Sequence, residues 1–184
     1  MTARLEQNHF PNAHLVLVEY DGRLVYEKYL SGEDQNWDSN IGHVTFAPDV
    51  KHDLRSITKS VTALLLGIAL ERTRHGQLDA ALSTSIMDYF PEYADEVDDA
   101  VRRITLAHIL NMTDGLEWNE MEVPYSNQEN DEIQLYYNPD PFAYVLEKPV
   151  RSAPGKSWYY NGGDTMLLAG VIQHLTGKTL REFE

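Results

Sequence analysis

The residues best suited to chemistry are Ser56 and Lys59, in the run Ser56-Ile57-Thr58-Lys59 at the start of an apolar helical stretch. Side chains three positions apart share one face of a helix, with Cβ atoms about 5–6 Å apart. A serine at a helix start lies among free N–H groups that favour developing negative charge. Its own backbone N–H can serve as one oxyanion donor. An amine one turn deeper, among apolar residues, sits where desolvation favours the neutral form that accepts a proton. Together these are the parts of acyl transfer: a hydroxyl that attacks a carbonyl and an amine that takes its proton. The plainer reading is a capping serine followed by a solvated lysine, and S-x-x-K alone is a weak signal. The surroundings favour chemistry, because most of the residues from Val61 to Leu70 are apolar.

A second candidate is the stretch Pro154-Gly155-Lys156-Ser157-Trp158-Tyr159-Tyr160-Asn161-Gly162-Gly163-Asp164. It combines a turn, an aromatic cluster and a glycine-rich approach to an apolar helix. Loops of this kind present side chains into clefts. A tyrosine hydroxyl near a lysine can relay protons, since a neighbouring positive charge favours the phenolate. Aromatic residues before a helix can equally be packing alone.

Composition narrows the function further. The chain has 184 residues, 42% hydrophobic and 24% charged, as expected of one folded domain. The longest apolar run, 63–70, falls far short of the ~18 residues that cross a bilayer, so no membrane segment is expected. The absence of cysteine rules out disulfides, thiolate metal sites and cysteine nucleophiles. A net charge of −14, from 29 acidic and 15 basic residues, repels phosphate backbones and argues against nucleic-acid binding. The first ten residues hold no apolar core of a signal peptide, which leaves the compartment open. The histidines are scattered without a metal-binding spacing, and His52, just before the Ser56 helix, reads as exposed or structural. No metal and no cofactor is expected. The acidic stretch 119–132 lacks a calcium-loop pattern and reads as a solvated surface loop.

The elements that must position these residues follow from local patterns. Residues 13–20 and 23–30 are rich in Val, Leu and Tyr around Asp21-Gly22, which predicts a β-hairpin. The apolar character of both faces of the first strand suggests a sheet covered by helices. Residues 31–52, with Gly32, Gly42 and Pro48, read as a long connection. Residues 56–73 are apolar nearly all round, which predicts a buried helix closed by His75-Gly76. A short helix or turn is expected before Pro91. Thr105 is expected to cap a helix, Asp140-Pro141 to open another, and residues 164–175 to form a second strongly apolar helix. Thr179 and Glu182 form a capping box cut short by the end of the sequence. A helix begun and then cut, with only two confident strands, suggests the N-terminal part of a longer protein.

Three separated segments resemble serine β-lactamase-related hydrolases: HDLRSITKSVTALLLGIALER, ITLAHILNMTDGLEW and APGKSWYYNGGDTMLLAGVIQHLTGK. That family includes class C β-lactamases, DD-peptidases, esterases and 6-aminohexanoate-dimer hydrolases. The resemblance runs from about residue 13 to the end. It implies an α+β, β-lactamase/transpeptidase-like fold, with a helical cluster beside an antiparallel sheet that is incomplete in this chain. Residues 1–184 would be one incomplete domain: a hairpin at 13–30, a mainly helical part at 53–178, and C-terminal strands missing.

The resemblance also implies roles. Ser56 is similar to the acylated nucleophile and Lys59 to its base. The family's Tyr-x-Asn motif fits in two registers, with either Tyr159 or Tyr160 as proton shuttle. Tyr160 is favoured by the gap-free count from the following helix, and Tyr159, Asn161 and Gly162 then fall at substrate-binding positions. The third motif, Lys-Thr-Gly or His-x-Gly on a late strand, is absent, and with it the second oxyanion donor. The chain alone is therefore expected to be inactive or very weak. The implied partners are a small ester, amide or β-lactam substrate and the missing C-terminal part of the same protein. The alternative is a non-catalytic binding module that keeps the fold.

Overall fold

A computed structural model describes residues 5, 10, 12–36, 39–74 and 77–183. The chain divides into two compact units, 1–54 and 55–184.

The first unit is built from hairpins. β1 (Leu15–Tyr20) and β2 (Arg23–Tyr29) pair antiparallel, Leu15 opposite Tyr29 and Tyr20 opposite Arg23, with a bulge between Val18 and Glu19. Asp21 and Gly22 take φ of 49° and 70°, the two left-handed positions that a two-residue hairpin turn demands. Residues 31–52, expected to be a connection, instead hold a second hairpin. β3 (Ser31–Asn36) pairs with β4 (Ser39–Thr45). β3 has no β-branched residue and β4 has Ile41, Val44 and Thr45; backbone pairing and polar cross-strand contacts such as Glu33 with His43 join them. The hairpins meet at Leu30, whose N–H donates to the His14 carbonyl and whose carbonyl accepts from the Phe46 N–H. Leu15 and Leu17 are exposed, Val16 and Val18 are half-buried, and no residue of β1 or β2 is fully buried.

The second unit is helical. α1 (Ile57–Arg74) packs against α6 (Gly162–Thr176). Between them in sequence lie α2 (Leu78–Leu82), α3 (Leu106–Leu110), α4 (Asp131–Tyr137) and α5 (Pro141–Leu146), with 3-10 turns at 86–89, 91–93 and 101–103. α7 (Leu180–Phe183) follows. The caps are those that local chemistry dictates. Thr105 accepts from the His108 N–H, and Asp140 accepts from the Ala143 N–H with Pro141 at the first helical position. Glu182 accepts from the Thr179 N–H and hydroxyl. Gly177, at φ 69°, ends α6 in the left-handed region. The stop expected at His75-Gly76 lies outside the described residues.

Leu66, Leu70, Ile104, Leu106, Leu167 and Val171 form the centre of one apolar core. α1 is not buried all round as its composition suggested. Thr62, Leu66, Ala69 and Leu70 are covered, whereas Ile57, Val61, Leu64 and Ile68 form an exposed stripe at four-three-four spacing. Periodicity shows that a helix has two apolar sides; only packing decides which is covered.

Candidate active site

Ser56 stands at the turn that opens α1. The residue before it, Arg55, has φ of 48°, a left-handed conformation that carries strain for a residue with a Cβ. The turn is closed by the Thr58 N–H on the Arg55 carbonyl and the Lys59 N–H on the Ser56 carbonyl. Lys59 is half-buried, and its Nζ lies 3.4 Å from Ser56 Oγ. The Tyr160 hydroxyl lies 2.5 Å from the same Oγ, across 104 residues of sequence. The Lys59 ammonium is 5.0 Å from the centre of the Tyr160 ring. The structure thus brings Ser56, Lys59 and Tyr160 together, and Tyr160 is the one of the two tyrosines that reaches the serine.

The loop carrying Tyr160 is held from its neighbour in space. The Gly155 N–H donates to the Thr113 carbonyl at 2.7 Å, and the Tyr159 N–H donates to the Met112 carbonyl at 3.1 Å. Leu116 and Val150 form a β-bridge, and the Arg151 N–H donates to the Gly115 carbonyl. Gly115, at φ 84°, lies so close that a Cβ there would sit 2.2 Å from the Ser152 carbonyl oxygen. Tyr159 points elsewhere: with Trp118, Glu122, Arg151 and Trp158 it lines an open cavity of about 320 Å³. Asn161 and Gly162 lie beneath the surface at the start of α6, and the Gly162 N–H is donated to Glu120 at 2.8 Å.

Buried acids near this centre, with the half-buried Glu132 among them, escaped sequence reasoning. Glu120, in the stretch taken for a solvated loop, is only 2% exposed. It accepts from the Trp118 indole, the Tyr125 hydroxyl and the Gly162 N–H. The ends of that loop are buried and its middle is exposed. Asn130 donates to the Glu120 and Val123 carbonyls, and Asp131 accepts from the Asn119 N–H and pairs with Lys148 at 2.6 Å. The signal that was available is the pair of aromatic donors, Trp118 and Tyr125, flanking Glu120. Glu132 packs over Gly162, where a Cβ would lie 1.9 Å from its Oε2. Burial and then the Glu120 charge push its pKa up, while Lys59 opposes the shift. Asp164 is 1% exposed. Burial and then the Asp114 charge push its pKa well above the usual carboxylate range, again against Lys59. Lys59 therefore faces two buried carboxyls besides the serine.

Among the described residues no N–H donor reaches either oxygen of Asp164. The nearby Asp114 carboxyl, which accepts from the Leu116 N–H, adds like charge to that burial. A buried carboxyl with no donor beside a second acid favours its protonated form. Asp164 in the folded chain holds a proton that the unfolded chain releases near pH ~3.9. The unfolded state binds fewer protons above that value, so stability falls as pH rises through the folded pKa. The stabilisation is fully present below about pH 4. Asp164→Asn is expected to flatten this decline in urea unfolding between pH 4 and 8. Equal slopes for the two proteins would exclude the raised pKa of Asp164.

Helices with small antiparallel sheets, and a hydroxyl, an amine and a phenol meeting where the long helix begins, define an α+β protein of the β-lactamase type. The chain belongs to the Beta-lactamase family, whose model matches residues 1–184. Two solved structures share its fold. A candidate 6-aminohexanoate-dimer hydrolase from Bacillus anthracis is 24% identical, with a TM-score of 0.64 over 99% of this chain and 44% of its own. A candidate β-lactamase from Bacteroides dorei DSM 17855 is 19% identical, with a TM-score of 0.65 over 99% of this chain and 46% of its own. The chain thus spans less than half the length of either structure. No protein of curated function matches it.

Proposed function

We propose that this chain carries the nucleophilic half of a serine hydrolase that works through an acyl-enzyme on Ser56. The observation that carries the reading is the single cluster of Ser56 Oγ, Lys59 Nζ and the Tyr160 hydroxyl. Ser56 Oγ attacks the carbonyl carbon of an ester, amide or β-lactam while its proton passes to the Tyr160–Lys59 pair. The oxyanion forms against the Ser56 N–H at the start of α1. The same pair returns the proton to the leaving oxygen or nitrogen as the bond to carbon breaks. Water then attacks the acyl group and Ser56 regains its proton. The two fold neighbours are named for hydrolysis of a 6-aminohexanoate dimer and of a β-lactam, which suits this substrate class.

Covalent labelling is the direct test, because it needs only the nucleophile and its base, whereas turnover needs a complete oxyanion hole. Incubation with a fluorophosphonate is expected to add one phosphonyl group, located on the Ser56 peptide by mass spectrometry. Ser56→Ala should remain unlabelled. A folded chain that takes no label, or label that persists in Ser56→Ala, would leave only a non-catalytic binding module.

A further inference from the structure

The first unit gathers three side chains that no part of the acyl-transfer chemistry uses. His14 precedes β1, Asp34 lies in β3 and His52 follows β4. One nitrogen or oxygen from each lies within 4.8 Å of the others. We propose that these residues form a Zn²⁺ site that ties the two hairpins of the first unit together.

The donor set is two imidazoles and a carboxylate, which suits Zn²⁺; Mg²⁺ and Ca²⁺ prefer oxygen alone. The rings are already oriented for it. His52 Nδ1 is 3.1 Å from the Asp53 carbonyl, which can only accept, so Nδ1 carries the proton. This leaves the lone pair on Nε2, which faces His14 Nδ1 at 2.6 Å. A ligating histidine held by a backbone carbonyl through its other nitrogen is the usual outer support of a metal site. The rings are also clamped from behind. His14 stacks on Phe46 at 4.3 Å between ring centres, and His52 lies 5.1 Å from the same ring. Phe46 is buried, at 3% exposure.

The remaining polarity of the cluster is unspent. His14 Nε2 is buried and, among the described residues, has no hydrogen-bond partner. It lies beside Gly32, where a Cβ would come within 3.1 Å of the ring. Asp34 lies two residues further along β3, on the same face as Gly32. The imidazole contact is at the short limit for N–H···N, whereas a tetrahedral ion with Zn–N near 2.0–2.1 Å spaces its nitrogens about 3.3 Å apart. Loading therefore requires the rings to separate by about 0.7 Å. Asp34 offsets one of the two positive charges, and water completes the coordination.

The test uses the whole chain, titrated with ZnCl₂ and, in parallel, with CoCl₂, MgCl₂ and CaCl₂. One Zn²⁺ per chain is expected after dialysis. Co²⁺ should show the visible bands of four- or five-coordination, and Mg²⁺ and Ca²⁺ should not compete. His14→Gln, His52→Gln and Asp34→Asn should each weaken Zn²⁺ binding at least about tenfold. His43→Gln, which alters the exposed pair with Glu33, should leave it unchanged. Ring ¹⁵N NMR of the unmutated chain needs no variant, and two histidines should shift on saturation. Binding that is absent, sub-stoichiometric, indifferent to the three substitutions, or accompanied by fewer than two shifted histidines would overturn the site.

Discussion

Lys59→Met is expected to slow phosphonylation or acylation of Ser56 by about a thousandfold, with the fold and thermal stability close to those of the parent. Met keeps the length of the side chain along the half-buried path from α1 but removes the proton acceptor. A serine hydroxyl is a weak nucleophile until a neighbour takes its proton, and general-base assistance of this kind contributes about 10²- to 10⁴-fold. Tyr160→Phe removes the closer of the two groups, at 2.5 Å from Ser56 Oγ against 3.4 Å for Lys59 Nζ. It should fall in the same range. The double variant should be scarcely slower than either single one, because groups that pass one proton act as a unit. Single-turnover labelling rates, followed by intact mass, separate the outcomes. A Lys59→Met rate within threefold of the parent would assign the lysine to packing, and additive losses in the double variant would mean that the two groups do not share the proton.

The parts of this site differ in how they are written in the sequence. Ser56 and Lys59 are three residues apart, and helix geometry alone brings them together. Caps and turns are similarly local: Asp21-Gly22, Thr105 and Asp140-Pro141 each act on the next two or three residues. Tyr160 is legible at longer range because the count back from α6 fixes it, and Tyr159, one residue earlier, lines the open cavity instead. What was not legible depends on partners far away. The hairpin of β3 and β4 pairs Ser-Gly-Glu-Asp-Gln-Asn, which has no strand-favouring side chain, with a strand whose Ile41 and Val44 are separated by Gly42 and His43, so side-chain preference announces it only weakly. The burial of Glu120 depends on Gly162, 42 residues later, and Asp164 is buried with no donor to its oxygens among the described residues. Acidic residues ordinarily signal solvent, and only the packing and donors of the folded chain reverse that inference.

Glu120 shows how much can rest on such a residue, and Glu120→Ala is expected to destabilise the chain by about 3–5 kcal/mol. Its two oxygens satisfy three donors: the Trp118 indole at 2.8 Å, the Tyr125 hydroxyl at 2.7 Å and the Gly162 N–H at 2.8 Å. Alanine leaves the buried indole and amide without acceptors, and each such orphan costs about 1–3 kcal/mol. It also opens a void beneath the start of α6. Tyr125 loses the acceptor that, after burial itself, holds its phenol in the protonated, donating form. Glu120→Gln tests the charge separately. The amide keeps one acceptor oxygen but turns an N–H₂ toward donors, so a smaller loss of about 1–2 kcal/mol is expected. Gln also removes the negative charge that, after burial, raises the pKa of Glu132, which should move back toward the ordinary carboxylate value. Because Gly162 lies two residues beyond Tyr160, freeing its N–H loosens the segment that aims the phenol at Ser56. Labelling of Ser56 in Glu120→Gln should therefore slow even at temperatures where the variant is fully folded. Urea unfolding of the Ala variant within about 0.5 kcal/mol of the parent would show that water replaces the carboxylate without penalty. In that case the loop from 119 to 132 would be the solvated surface that its composition first suggested.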